Sequence, residues 1–231
     1  MSLTRIVCLA NSYKHDHRCV AGIDLRTKQW VRLVGNSIPG CMTLAEASYV
    51  DGTPLRLLDV FEVELAEPCG TDDHPEDVRV SRGAIFFSRK FNGFSDCRLL
   101  AGVKAKAGQV LQGYRDRVFA DPIRRNSPCR SLELIRPDDL WWWIRNDGKR
   151  KSRALFRSNR TRFDLAVTDP EWLEKLAPLE PGIYPHGSFF SRNAQETYLT
   201  ISMSEPFERF RYKLVAGVIS ARASGGFEDR A

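Results

Sequence analysis

WWWIRNDGKRKSRALFRSNRTRFDLAV, residues 141–167, is the stretch from which the fold is read. KSRALFRS and TRFDLAVTD are two β-prone runs joined through Asn159-Arg160, a joint short enough to predict a hairpin. If 152–157 is extended, Arg153, Leu155 and Arg157 share one face and Ala154 and Phe156 the other. WWWIR, just before, reads as a further strand, in which Trp142 opposes Trp141 and Trp143.

The same stretch carries the charge. Between Arg145 and Arg162 stand eight basic side chains (Arg145, Lys149, Arg150, Lys151, Arg153, Arg157, Arg160 and Arg162) against one acid, Asp147. The whole chain is only +6, so the remainder is close to neutral. Cations meet phosphate through charge-assisted hydrogen bonds and release counterions, while aromatic rings stack on bases. These eight residues, with Trp142 as a stacking ring and Phe156 within the charge run, are the candidate nucleic-acid surface. Lys14, Arg18 and Arg32 are candidate extensions in the first half. The competing reading is a solvated edge hairpin, whose Lys and Arg keep it from pairing with other sheets, beside a tryptophan cluster that is simply core.

Working outward, RIVCLAN (5–11) reads as a first strand, followed by a polar loop over 12–18. CVAGIDL and QWVRLVG, joined at Arg26-Thr27-Lys28, read as a hairpin. Thr43-Leu44-Ala45-Glu46 fits a capping box and predicts a short helix over 44–49. LLDVFEVELAEP (57–68) alternates with period two, a half-buried strand, and VRVS and AIFFS add short ones. Val103, Ala107, Val110, Leu111, Tyr114 and Val118 fall on one helical face, which Gly108 and Gly113 weaken. ADPIRRNSPCR (120–130), with two prolines and little periodicity, marks a boundary between two units. Beyond the basic hairpin, Thr168-Asp169-Pro170-Glu171 predicts a helix start for EWLEKL, with a capping residue and an early proline. A Pro/Gly loop over 178–188 follows, and YLTISM and YKLVAGVIS close the chain as strands.

Each half therefore reads as strands, a short helix, then more strands, the rhythm of a small OB-type barrel. At 231 residues and 42% hydrophobic, the chain has material for one generous domain or two small ones. No apolar run reaches transmembrane length and no signal peptide is legible, so a soluble, cytoplasmic protein with no membrane partner is expected. Six cysteines are spread evenly without a CxxC pair, and reduced thiols are expected.

Other clusters carry side chains with chemical potential. His15, His17 and Cys19 share a face in an extended chain, but no zinc spacing is matched and a solvated loop is the better reading. Asp72, Asp73, His74, Glu76 and Asp77 are read as a solvent-exposed turn rather than a cation or acid–base site. His186 is a lone histidine in the Pro/Gly loop. No phosphate loop, GxGxxG or GxSxG elbow occurs, which removes the usual support for nucleotide hydrolysis, dinucleotide chemistry and serine-hydrolase chemistry. No cofactor, metal or catalytic residue is assigned.

RIVCLANS (5–12), RCVAGI (18–23), LLDVFEVEL (57–65), His74-Pro75-Glu76, FDLAVTDP (163–170), YLTISMSEPF (198–207) and YKLVAGVIS (212–220) stand together in a familiar order. The chain resembles the bacterial dual-OB-containing domain family over nearly its full length. That resemblance implies two OB-like barrels and a nucleic-acid-binding role, with single strands slightly favoured.

The expected architecture is mainly β with a few short helices: two small OB-like antiparallel β-barrels packed together. The expected units are 1–122 with a C-terminal helix, 126–223 carrying the basic hairpin, and a mobile tail over 224–231. The expected function is a non-enzymatic module that grips the phosphate backbone of DNA or RNA with some aromatic stacking. A protein-interaction or scaffold subunit of a bacterial multiprotein or defence system, meeting an acidic protein partner, is the alternative. An enzyme acting on nucleotides is the third.

Overall fold

A computed structural model describes residues 3–14, 16–81, 84–91, 110–111, 113–121, 130–189 and 195–222. Fourteen strands are described. They are β1 (Leu3–Lys14), β2 (His17–Asp24), β3 (Trp30–Val34), β4 (Asp59–Pro68), β5 (Asp77–Val80), β6 (Phe86–Lys90) and β7 (Arg117–Phe119). Then come β8 (Leu132–Ile135), β9 (Asp139–Asn146), β10 (Arg150–Ser158), β11 (Thr161–Val167), β12 (Gly182–Pro185), β13 (Gln195–Met203) and β14 (Phe210–Arg222). Among the described residues one α-helix, α1, spans Pro170–Leu176.

The first sheet runs β1-β2-β3-β5-β4-β6, and β1 pairs back onto β4, which closes a five-stranded barrel with β6 added along β4. Its pairings are antiparallel except β3 with β5. β1 bends at a bulge between Cys8 and Ala10, pairing with β4 over Leu3–Val7 and with β2 over Ile6–Lys14. Gly22 is required opposite that bend, because a Cβ there would sit 2.0 Å from the Val7 carbonyl oxygen.

The second sheet repeats the plan. Its order β9-β10-β11-β14-β13-β8, with β12 added beside β9, again contains one parallel pair, β11 with β14, and α1 follows its third strand, β11. Here the bent strand is broken in two: β8 pairs with β13, β9 pairs with β10, and Arg136-Pro137-Asp138 joins them. Proline has no N–H for the ladder, which accounts for the break at this place. Both sheets thus have the OB strand order, and the expected mostly-β, two-barrel architecture is what the chain adopts.

Several local expectations change. The polar loop over 12–18 is a tight hairpin turn, with Lys14 paired to His17 and Asp16 at positive φ. Thr43 and Glu46 do exchange capping-box bonds, Thr43 N–H to Glu46 Oε2 at 2.8 Å and Glu46 N–H to Thr43 Oγ1 at 3.2 Å. They close a single turn and no helix follows. For α1 the cap is Asp169, whose carboxylate accepts from the N–H groups of Glu171 and Trp172. Most of the helix expected over 103–119 lies outside the described residues, and its described end is strand β7, paired with β14. His15, Cys97, Cys129, the boundary at 122–129 and the tail from 223 also lie outside them.

Each barrel has its own core: Ile6, Val20, Leu33, Phe61 and Val63 in the first, and Trp142, Phe156, Phe163, Trp172 and Leu199 in the second. A third cluster joins the barrels, with Val7, Leu9, Ile23 and Val60 packed on Leu134, Tyr198 and Ile219. There β14 crosses close to β1: a Cβ on Gly217 would lie 2.4 Å from the Leu9 carbonyl oxygen, to which Thr200 Oγ1 donates at 2.6 Å.

The acidic loop over 69–77 is the largest correction. Asp72 and Pro75 are exposed as a turn should be, but Asp73, His74, Glu76 and Asp77 turn inward, and Asp73 and Glu76 clamp the barrels together. Asp73 meets the buried Arg211 of β14 at 2.5 Å, and Glu76 accepts from Ser131 N–H at 2.9 Å and Ser131 Oγ at 2.8 Å. Asp77 holds Arg32 through two bonds at 2.5 and 2.8 Å. His74 is buried, and burial followed by the charge of Arg32 lowers its pKa to about 3, so the imidazole is neutral. Its 3.5 Å contact with Glu205 is therefore not an ion pair near neutral pH. Alternating acids in a Pro-containing loop look solvated in one dimension. Their partners stand 45 to 138 residues away.

Candidate nucleic-acid interface

The basic hairpin forms as the sequence predicts. β10 and β11 pair from Arg153–Ala166 to Ser158–Thr161, and the two-residue turn puts Asn159 at φ 45° and Arg160 at φ 71°. Positive φ at both positions defines the turn whose twist matches a hairpin, and Asn favours it. β9 lies on the other side of β10, with Trp141, Trp143 and Arg145 opposite Leu155, Arg153 and Lys151.

Alternation then sorts the side chains. Leu140, Trp142 and Ile144 point into the barrel, as do Ala154 and Phe156. Trp141, Trp143, Leu155, Arg153 and Arg157 point outward. Along the sheet this makes two rows, Ile183-Trp143-Arg153-Ala166 and Pro185-Trp141-Leu155-Asp164, followed by Asp139-Arg157-Arg162. Trp141 is 43% exposed and Ile183 56%, an apolar strip on β9 and β12 beside the cations of β10 and β11.

Both aromatic residues singled out from sequence are corrected. Trp142 is fully buried, stacked on Trp172 at 4.6 Å between ring centroids, and its Nε1–H donates to His186 Nδ1 at 3.1 Å. Phe156 is buried against Phe163. Neither offers a face to a base. The open ring is Trp141, while the guanidinium of Arg145 covers Trp143 at 4.5 Å. His186 is core, bonded also to Thr197 Oγ1 at 2.7 Å, and burial lowers its pKa to about 4.

The charge is less open than the local sequence implies. Arg145 is paired with Asp147, Arg153 with Asp164, and Arg157 with Asp139 at 2.6 Å. Arg150 donates to the carbonyls of Leu176 and Leu179, where a cation complements the C-terminal end of α1. Among the described residues, no carboxylate lies within ion-pair reach of Lys149, Lys151, Arg160 or Arg162. These four ring the exposed strip at its two hairpin turns.

In the first barrel, Lys14 donates to Glu205 at 3.0 Å and Arg18 stacks on Tyr13 at 4.3 Å. Arg32 is buried in its pair with Asp77 and is corrected from a phosphate contact to an interior ion pair. Sequence reasoning missed Trp141 and Ile183. Period-two alternation does separate Trp141 from Trp142, but only knowledge of which side the core occupies shows which ring is outside.

Among the described residues, no group of three or more His, Cys, Asp or Glu side chains is arranged to hold a metal ion, and no helix is long and apolar enough to cross a membrane.

The profile of a family described as a dual OB-containing domain matches residues 4–218. No curated protein matches the chain. One solved structure, described as that of a murine DNA binding protein bound with ds DNA, is similar over 95% of this chain and 97% of that chain, at 6% identity and a TM-score of 0.34. A likeness that slight carries nothing about ligand.

Proposed function

From its place in the dual OB-containing domain family, to which this chain belongs, we propose that the protein is a nucleic-acid-binding module that holds single strands on the outer face of β9, β10 and β11. The observation that carries this reading is the exposed Trp141–Ile183 strip set among the uncompensated cations Lys149, Lys151, Arg160 and Arg162. Stacking on Trp141 would hold a base, and the cations would track the phosphates on either side. A duplex hides its base faces inside the stack, so a ring-based contact favours single strands. β10 and β11, which carry Lys151 and Arg162, are the second and third strands of this barrel, the face through which OB barrels bind oligonucleotides, while Trp141 and Ile183 stand beside them on β9 and β12. Three arginines already paired with carboxylates keep the attraction moderate, so sequence-independent, salt-sensitive binding is expected.

The test is fluorescence anisotropy of labelled single-stranded DNA, single-stranded RNA and duplex DNA titrated with nuclease-treated protein at two salt concentrations. Single strands should bind more tightly than the duplex, with a log–log salt slope of about −0.7 per phosphate neutralised. Absence of binding at low salt would overturn the reading and leave the face as a docking surface for an acidic protein, detectable as a stoichiometric, nuclease-resistant complex.

A further inference from the structure

The outer face of β11 does not end at solvent. Arg153, Asp164 and Ala166 also line a cleft of about 550 Å³ between the two barrels. One wall is β1 and β2, through Ala10, Ser12 and Ala21; the opposite wall is β11 and β14, through Ala166 and Ala216. The segment Met203–Phe207 borders it, with Tyr13 and Phe207 exposed among its lining residues. A volume of this size lies within the range that takes a small molecule.

The chemistry of the lining selects the ligand. Three of the four cations there are paired with a carboxylate: Lys14 with Glu205, Arg153 with Asp164, and Arg32 with Asp77. Lys213 lies in the fields of Glu133 and Asp116 and donates to the Gly113 carbonyl at 3.0 Å. Balanced pairs supply donors and acceptors side by side with little net pull on an anion. Alanines contributed by both barrels leave low, apolar walls between them. Such a site suits a neutral body with apolar faces and a hydrogen-bonding edge.

We propose that the inter-barrel cleft takes a single unstacked nucleobase from a strand lying across β9–β11, a proposal that rests on the reading of that face given above. Arg153 and Asp164 then belong to both surfaces, at the point where a strand would turn from the sheet into the cleft. Its Watson–Crick edge would meet donors and acceptors of the lining, and its ring would lie between apolar walls, as in pockets that hold an extruded base.

The experiment titrates the full chain by calorimetry with the four ribonucleosides and their 5′-monophosphates. At least one nucleoside should bind saturably, and its monophosphate should bind no more than about threefold tighter, because the lining is charge-balanced. Ala166→Phe, which fills the cleft, should weaken that binding by about tenfold or more, with thermal melting confirming the fold. Phe207→Ala, at an exposed position, should weaken it by about threefold or more without risk to the core. No saturable nucleoside binding, or unchanged binding in folded Ala166→Phe, would overturn the proposal. Binding of monophosphates alone, with a steep salt slope, would also overturn it by making the cleft an anion site. Strand affinity that neither saturating nucleoside nor Ala166→Phe disturbs would remove the cleft and leave the outer face standing. Nucleoside binding without strand binding would support the cleft and remove the face.

Discussion

Arg153 of β10 reaches diagonally across to Asp164 of β11, guanidinium to carboxylate, with a second bond from Arg153 Nη2 to the Asp164 carbonyl oxygen at 2.7 Å. A side chain that looks like a phosphate contact in sequence is thus already engaged. Asp164→Asn removes the charge while keeping the shape, and single-strand affinity should rise by about two- to fivefold at low salt. Anisotropy at two salt concentrations reads the change; an unaltered affinity would take Arg153 out of the interface.

Lys149, Lys151, Arg160 and Arg162 carry the open charge. Replacing all four by alanine should weaken single-strand binding at least about tenfold and flatten the salt slope by about 0.7 for each phosphate that is no longer neutralised. These side chains lie outside the core, so the melting temperature should stay within a few degrees. An undiminished slope would move the strand to another surface.

The neighbouring tryptophans should behave oppositely. Trp141→Ala should cost about 1–3 kcal/mol of strand binding with little change in stability. Trp142→Ala should cost about 3–5 kcal/mol of stability, since it empties the space against Trp172 and takes the partner from His186. Paired anisotropy and urea titrations separate the two, and a Trp141 variant that binds normally would deny the ring a stacking role.

His74 and His186 are held neutral by burial, with pKa values lowered to about 3 and about 4 from the usual 6.5. The unfolded chain takes up these protons as pH falls below 6.5 and the folded chain does not. Their stabilising contribution is therefore complete above 6.5 and is lost progressively as pH falls towards 4, and towards 3 for His74. Urea midpoints should drop between about pH 7 and about pH 4.5. Glu46, lowered to about 2 by its bonds to Thr43, Asn36 and Ser37 against the opposing effect of burial, adds a further loss only below 4.5. A flat profile across the first interval would show both imidazoles charged in the folded state.

The inter-barrel clamp should be a stability element. Asp73→Ala takes a carboxylate from the fully buried Arg211 and should cost about 3–5 kcal/mol, without changing strand affinity measured on the folded protein. A loss below about 1 kcal/mol would mean that Arg211 is held by its other partners.

Periodicity determined most of the architecture. The alternation in WWWIR, in KSRALFRS and in FEVEL, the Asn159-Arg160 joint and the capping signals before EWLEKL all become strands, a hairpin turn and α1. These are local properties, written in the spacing of apolar residues and in turn chemistry, and they need no partner to be legible. What a side chain does depends on what lies opposite it. Only the folded second barrel decides that Trp142 is inside and Trp141 outside, because alternation defines two faces without naming the core. Only strand pairing brings Asp139 and Asp164 beside Arg157 and Arg153. Only the packing of one barrel on the other turns Asp73 and Glu76 of the acidic loop into a clamp and opens the cleft beside β11. Charge pairing and burial act through space, over separations along the chain that no local pattern records.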